Sequence, residues 1–101
     1  MDKAAGILSA NLGEKLILHD VASSLKIPYL IFGVKFTEYY KLPPGECRIK
    51  KRIEKGQELL QEGVNVKETS AQLGYSDAYS FSRQFKQVTG ISPGKYINFP
   101  F

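Results

Sequence analysis

The residues best suited to chemistry lie between Gly74 and Pro93, where Tyr79, Arg83 and Lys86 are interleaved with Phe81 and Phe85. The two phenylalanines stand four apart and define the buried stripe of a helix over Asp77 to Thr89, while Ala78, Tyr79, Ser82, Arg83 and Lys86 turn the other way. A guanidinium can pair through two hydrogen bonds with the edge of guanine, a contact worth about 1–3 kcal/mol of discrimination. Arg83 is therefore the leading candidate for reading a base; the blander alternative is a solvated arginine, or one held by Asp77 or by a phosphate. Lys86, together with Arg48, Lys50 and Lys51 earlier in the chain, suits phosphate contact better, because counterion release rewards positive charge without demanding base geometry. On its own, a run of charge is ordinarily a solvated helix face.

Other chemistry finds little to build on. No carboxylate pair, nucleophile with an adjacent base, or metal cluster can be assembled, so neither an enzyme nor a cofactor is expected. One histidine, His19, and one cysteine, Cys47, can form neither a structural zinc site nor an internal disulfide. His19 reads as an exposed residue at the start of a short helix and Cys47 as a small buried one. Gly90 and Gly94 lack the spacing of a phosphate-cradling loop, although Ser92 before Pro93 can start a last helix whose amides could take a phosphate.

The 101 residues, 43% of them hydrophobic, suffice for one modest core. The net charge of +4 favours an acidic partner, and it is local: residues 1–40 are neutral and the surplus lies beyond them. No apolar run is long enough to span a bilayer, and Met1-Asp2-Lys3 is not followed by the apolar core of a secretory signal. A reducing cytoplasm is the expected setting.

The elements that must position these residues come from a repeat. At an offset of 48, Leu18, Val21, Ala22, Leu25 and Ile27 fall on Val66, Thr69, Ser70, Leu73 and Tyr75. At an offset of 49, Phe32, Phe36, Lys41, Leu42, Pro44 and Gly45 fall on Phe81, Phe85, Gly90, Ile91, Pro93 and Gly94. The second copy thus has one extra residue between Leu73 and Phe81, where a turn tolerates it. Each copy reads as a short helix, a tight turn and a second helix. Asn65 with Glu68 starts the short helix of the second copy, Gly74 ends it, and Ser76 or Asp77 caps the next. Between the copies Ile49, Ile53, Gly56 and Leu60 recur at helical spacing, punctuated by Pro43 and Pro44 before and Gly63 after, which predicts a long helix over 45–62. A helix near 3–11 and a short one near Pro93 to Ile97 complete an all-α fold of about seven helices, with no strand-type alternation.

Val66 to Pro93 resembles the signature of the AraC/XylS family of bacterial transcription regulators: Gly74-Tyr75-Ser76-Asp77, then Phe81-Ser82-Arg83-Gln84-Phe85-Lys86, then Gly90-Ile91-Ser92-Pro93. Arg52 to Leu60 is similar to that family's central helix, so the resemblance covers nearly the whole chain. It implies two homeodomain-like helix-turn-helix units joined by the long helix, each offering its second helix to a major groove of double-stranded DNA. A connecting helix of some 18 residues spans roughly 27 Å, against about 34 Å between successive major-groove openings, so neighbouring turns come within reach if the DNA bends somewhat.

The resemblance also assigns Ala78, Tyr79 and Ser82 to base-facing positions beside Arg83. For the first copy it implies a recognition helix from Pro28 to Phe36, with Val34 where the family usually has arginine and Leu30 and Gly33 at two further base-facing positions. These offer no side-chain hydrogen bond, so such a helix can fill a groove and touch thymine methyl groups but cannot make bidentate contacts; with Tyr29 and Lys35 as its polar candidates, this half is expected to bind weakly, by shape or backbone, or to meet another protein surface. Thr69 and Ser70 replace the usual Ile and Ala of the scaffold helix, which predicts looser packing there.

The expected organisation is one DNA-binding domain over 1–101, with the first unit at 1–44, the connecting helix at 45–62 and the second unit at 63–101. The expected function is sequence-specific DNA binding in bacterial transcription regulation, with an interaction module that has lost specific DNA binding as the alternative. RNA polymerase is the implied protein partner. No membrane or small-molecule partner is expected, and any dimerisation would use a region outside these residues. The chain then stands alone or belongs to a longer regulator.

Overall fold

A computed structural model describes residues 1–98. Among these residues seven helices follow one another: α1 (Asp2–Ser9), α2 (Leu18–Ser24), α3 (Tyr29–Tyr40), α4 (Pro44–Gln61), α5 (Val66–Gln72), α6 (Ala78–Thr89) and α7 (Pro93–Ile97). Among the described residues there is no strand. The chain divides inside α4 into two compact units, Met1–Lys51 and Arg52–Phe101.

The repeat read from the sequence is reproduced in the helix limits. α2 and α5 have the same length and begin 48 residues apart; α3 and α6 have the same length and begin 49 apart, as do the starts of α4 and α7. The turns match bond for bond. The amide of Lys26 donates to Ser23 O at 3.0 Å and that of Ile27 to Ala22 O at 3.0 Å, while Gly74 donates to Ala71 O at 3.1 Å and Tyr75 to Ser70 O at 3.0 Å. The extra residue sits where α6 begins. Asp77 caps α6 by accepting the Ser80 amide, whereas Pro28, in the same place before α3, has no side-chain acceptor to offer.

The first unit packs Ala4, Leu8, Val21, Ala22, Phe32 and Phe36 into one cluster, with Leu18, Leu25, Ile27, Tyr40 and Cys47 partly buried around it. Cys47 is thus half-buried rather than buried, while His19 is exposed on the first turn of α2 as expected. α3 runs four residues beyond the Phe36 limit suggested by alignment. Tyr40 extends the apolar stripe by stacking on Phe36 at 4.7 Å between ring centroids, and its hydroxyl donates to Asp2 at 2.9 Å.

The second unit buries Ile53, Leu59, Leu60, Leu73, Phe81, Phe85 and Tyr96. Its rings form a chain of edge-on contacts, Tyr75 to Phe81, Phe81 to Phe85 and Phe85 to Tyr96, the geometry that the charge distribution of aromatic rings favours. Gly56 lets α4 approach closely: a methyl group there would stand 3.1 Å from the Phe81 ring. Thr69 and Ser70 are both buried in this unit. The Ser70 hydroxyl donates to Lys67 O at 2.8 Å, but the Thr69 hydroxyl finds no hydrogen-bond partner in the structure. Placing an unpaired hydroxyl in a core site is unfavourable by its desolvation, which bears on the expectation of weaker packing in this helix.

The two copies differ in how they make their left-handed turns. Gly74 and Gly90 adopt φ of 79° and 87°, but the equivalent residues of the first copy are Lys26 and Lys41, at 58° and 63°. A side chain with a β-carbon is strained there by roughly 1–2 kcal/mol, and glycine gives back part of that gain through its freer unfolded chain. Lys41→Gly is therefore expected to stabilise the protein by about 0.5–1 kcal/mol, read as a rise in thermal midpoint; an unchanged or lower midpoint would mean that the lysine side chain compensates for the turn.

Candidate nucleic-acid interface

α6 is held by its ends. The Asp77 carboxylate accepts the Ser80 amide at 2.7 Å, and beyond the last turn the left-handed Gly90 donates its amide to Lys86 O at 2.8 Å. That hydrogen bond from the Ser80 amide holds the Asp77 carboxyl below its usual range, against a smaller opposing effect of desolvation. A lowered folded-state value means that the stabilisation is complete above the ordinary carboxylate range and is lost as the pH falls through the lowered one. Asp77→Asn, which keeps a capping oxygen but does not titrate, is expected to make the thermal midpoint less sensitive to acid than in the parent. Parallel acid profiles would contradict this.

With Phe81 and Phe85 buried, the opposite side of α6 presents Tyr79, Arg83 and Lys86, all exposed, and Tyr79 with 70% of its surface free. The Arg83 guanidinium lies 6.0 Å from the centre of the Tyr79 ring, at the outer edge of a cation–π contact. The alternative partner of Arg83, Asp77, is engaged with the backbone at Ser80. Ala78 and Ser82 are half-buried at the flank of this face. Gln87, not singled out in the sequence, is exposed one turn beyond Arg83 and shares with it a shallow depression lined also by Ser80 and Gln84. Its amide can make a two-bond pair with adenine, and the signal that would have found it is the i, i+4 relation to Arg83.

Beneath the face, Gln84 accepts a hydrogen bond from the Tyr75 hydroxyl. Burial pushes the Tyr75 phenol up in spite of the nearby Arg52, so it remains a neutral donor. Arg52 stacks over the Tyr75 ring at 4.0 Å and donates to Leu73 O at 2.7 Å, which satisfies the end of α5.

The phosphate candidates separate. Lys86 in the second unit and Lys50 and Lys51 in the first are exposed. Arg48 is not available: it is 8% exposed, and its guanidinium donates to the carbonyls of Leu8, Ala10, Asn11 and Glu14 at 2.8–3.1 Å. These groups, the end of α1 and the following loop, need donors, and a planar fork reaches several at once. The expectation that Arg48 contacts phosphate is corrected on that ground. Ser92 is half-buried and caps α7, its hydroxyl oxygen accepting the Lys95 amide at 3.3 Å, which leaves the hydroxyl proton to donate.

In the first unit α3 exposes Tyr29, Leu30, Val34 and Lys35, with Gly33 partly covered. Leu30 and Val34, 79% and 56% exposed, occupy the repeat positions of Tyr79 and Arg83. Glu38 stands where the second copy has Gln87.

Among the described residues no group of acidic, histidine and cysteine side chains could hold a metal, and no helix is long and apolar enough to cross a membrane. A family model described as a helix-turn-helix domain matches residues 31–98. The Msm operon regulatory protein of Streptococcus mutans is 29% identical over 91 residues, which are 89% of this chain and 33% of that protein, so the chain spans about a third of this curated relative. The fold is similar to that of the C-terminal domain of AraT, a response regulator from Geobacillus stearothermophilus, with a TM-score of 0.88 at 24% identity over 96% of this chain and 82% of that one. It is also similar to the DNA-binding domain of the global transcriptional factor AdpA, solved in complex with a target DNA, with a TM-score of 0.86 at 19% identity over 96% and 88% of the two chains. Neither the family nor the fold is that of an enzyme. With its duplicated helix-turn-helix pattern and signature residues on α5 to α7, the chain belongs to the AraC-type helix-turn-helix family of DNA-binding transcription-regulator domains.

Proposed function

We propose that α6 is the sequence-reading element, entering the major groove of double-stranded DNA with Arg83, Tyr79, Ser82 and Ala78 toward the bases, and that Gln87 joins them. The observation that carries this reading is the exposed polar face of α6, with a guanidinium at its centre and an amide one turn away. Lys86, Lys50 and Lys51 contribute contacts to phosphates, which fix orientation without carrying sequence information, and Ser92 adds a hydroxyl donor. α3 binds more weakly, since Leu30, Gly33 and Val34 have no side-chain donor and only Tyr29 and Lys35 supply polar groups. In the cell this activity serves bacterial transcription regulation in the cytoplasm, with RNA polymerase as the protein partner. Dimerisation, where it occurs, uses other parts of a longer regulator.

Selection of bound duplexes from a random pool tests the assignment. One sharp half-site beside a degenerate one is the expected outcome, and two equally sharp half-sites would overturn the unequal roles. Lys50→Ala should weaken all sequences alike and reduce the slope of log affinity against log salt by about one. A parent protein whose feeble binding is blind to sequence would contradict the whole reading.

A further inference from the structure

The exposed face of α3 is aliphatic where that of α6 is polar. Leu30 and Val34 stand at the repeat positions of Tyr79 and Arg83, and the equal lengths of α3 and α6, with matching turn hydrogen bonds before them, make that equivalence structural as well as sequential. At Gly33, between them, a β-carbon would meet nothing within 4 Å, so the surface is open there. Leu30, Gly33 and Val34 continue into an apolar depression that reaches Leu18, Pro43 and Pro44. Lys41 supplies positive charge at the same depression, and Glu38, one turn beyond Val34, supplies an acceptor that disfavours phosphate.

A face of this kind discriminates among base pairs through apolar contact. Against G·C it covers the acceptors of guanine and the amino group of cytosine without replacing their water, which is unfavourable for each group left unpaired. Against T·A it meets the C5-methyl group of thymine, the apolar feature of the major-groove edge. We propose that Leu30 and Val34 of α3 pack on thymine C5-methyl groups, so that the weaker half-site is recognised by its methyl pattern and not by hydrogen bonding. This rests on the reading of the chain as a major-groove binder and adds what its first helix selects.

The methyl group can be removed or added without changing base pairing. In the selected duplex, replacing thymines of the weaker half-site one at a time by deoxyuridine should reduce the affinity of the 101-residue protein about three- to fourfold at one or two positions, the equivalent of burying about one methyl group. Placing 5-methyldeoxycytidine instead of deoxycytidine at those positions should recover part of the loss. Leu30→Ala and Val34→Ala change exposed side chains and should leave the fold intact; at least one of them should abolish the difference between thymine and uracil. Equal affinity for the thymine and uracil duplexes, with the sharp half-site still selected, would overturn the proposal and leave the α6 assignment standing. Persistence of the difference in both alanine variants would likewise overturn it and move the contact to other residues. Failure to select any duplex would remove both readings.

Discussion

Replacing Arg48 by alanine is expected to lower the thermal midpoint by roughly 8–32 °C. The guanidinium is buried and bridges four backbone carbonyls, of which only that of Asn11 accepts a loop amide as well, from Glu14 at 3.0 Å. Hydrogen bonds from charged donors are worth roughly 1.5–3 kcal/mol each, although they do not add when one side chain makes them all. Stranding the carbonyls adds their desolvation, and a loss of about 2–4 kcal/mol in total corresponds to roughly 4–8 °C for each kcal/mol in a protein of this size. Arg48→Lys should recover little of it, because one ammonium cannot span the four acceptors. If Arg48 acted on phosphate instead, alanine would leave the midpoint almost unchanged and flatten the salt dependence of DNA binding.

Arg83→Ala is expected to do the opposite. The side chain is exposed and approaches the Tyr79 ring only at 6.0 Å, so the thermal midpoint should hardly move. Preference at one base pair of the sharp half-site should relax by about 1–3 kcal/mol, roughly five- to 150-fold. Arg83→Lys should restore affinity more than preference, since an ammonium keeps the charge but lacks the fork that pairs with guanine. Uniform weakening across all sequences, with a shallower salt slope, would assign Arg83 to phosphate and move base reading to Tyr79, Ser82 or Gln87.

What could be read from the sequence was whatever leaves a periodic or local mark. The stripe of Phe81 and Phe85, the cap at Asn65 and the glycine terminators at Gly74 and Gly90 all act within a few residues of themselves, and the helices fell within two residues of expectation at nearly every boundary. The exception is the end of α3, which is set by a ring stack and by a hydroxyl reaching 38 residues back to Asp2. Arg48 was misread for the same reason. Among Lys50, Lys51 and Arg52 it reads as one more charge on a solvated helix face, and nothing nearby in sequence announces carbonyls 34–40 residues away. Gln87 was legible in principle, by its spacing from Arg83, but its exposure depends on which side of α6 meets the core. The left-handed lysines were concealed because the turn is imposed by the helices on either side and not by the residue within it.

The two arginines one turn apart on α4 have a consequence for descent. Arg48 fastens the loop after α1 within the first unit, and Arg52 fastens the end of α5 within the second, on either side of the point where the units divide. Each descendant of the ancestral duplication thus carries its own core and its own fastening, set apart from the outward residues of α3 and α6. Drift at Leu30 or Val34 spends none of the stability on which Tyr79 and Arg83 depend. One copy can therefore change its surface chemistry by single substitutions without loosening its sibling.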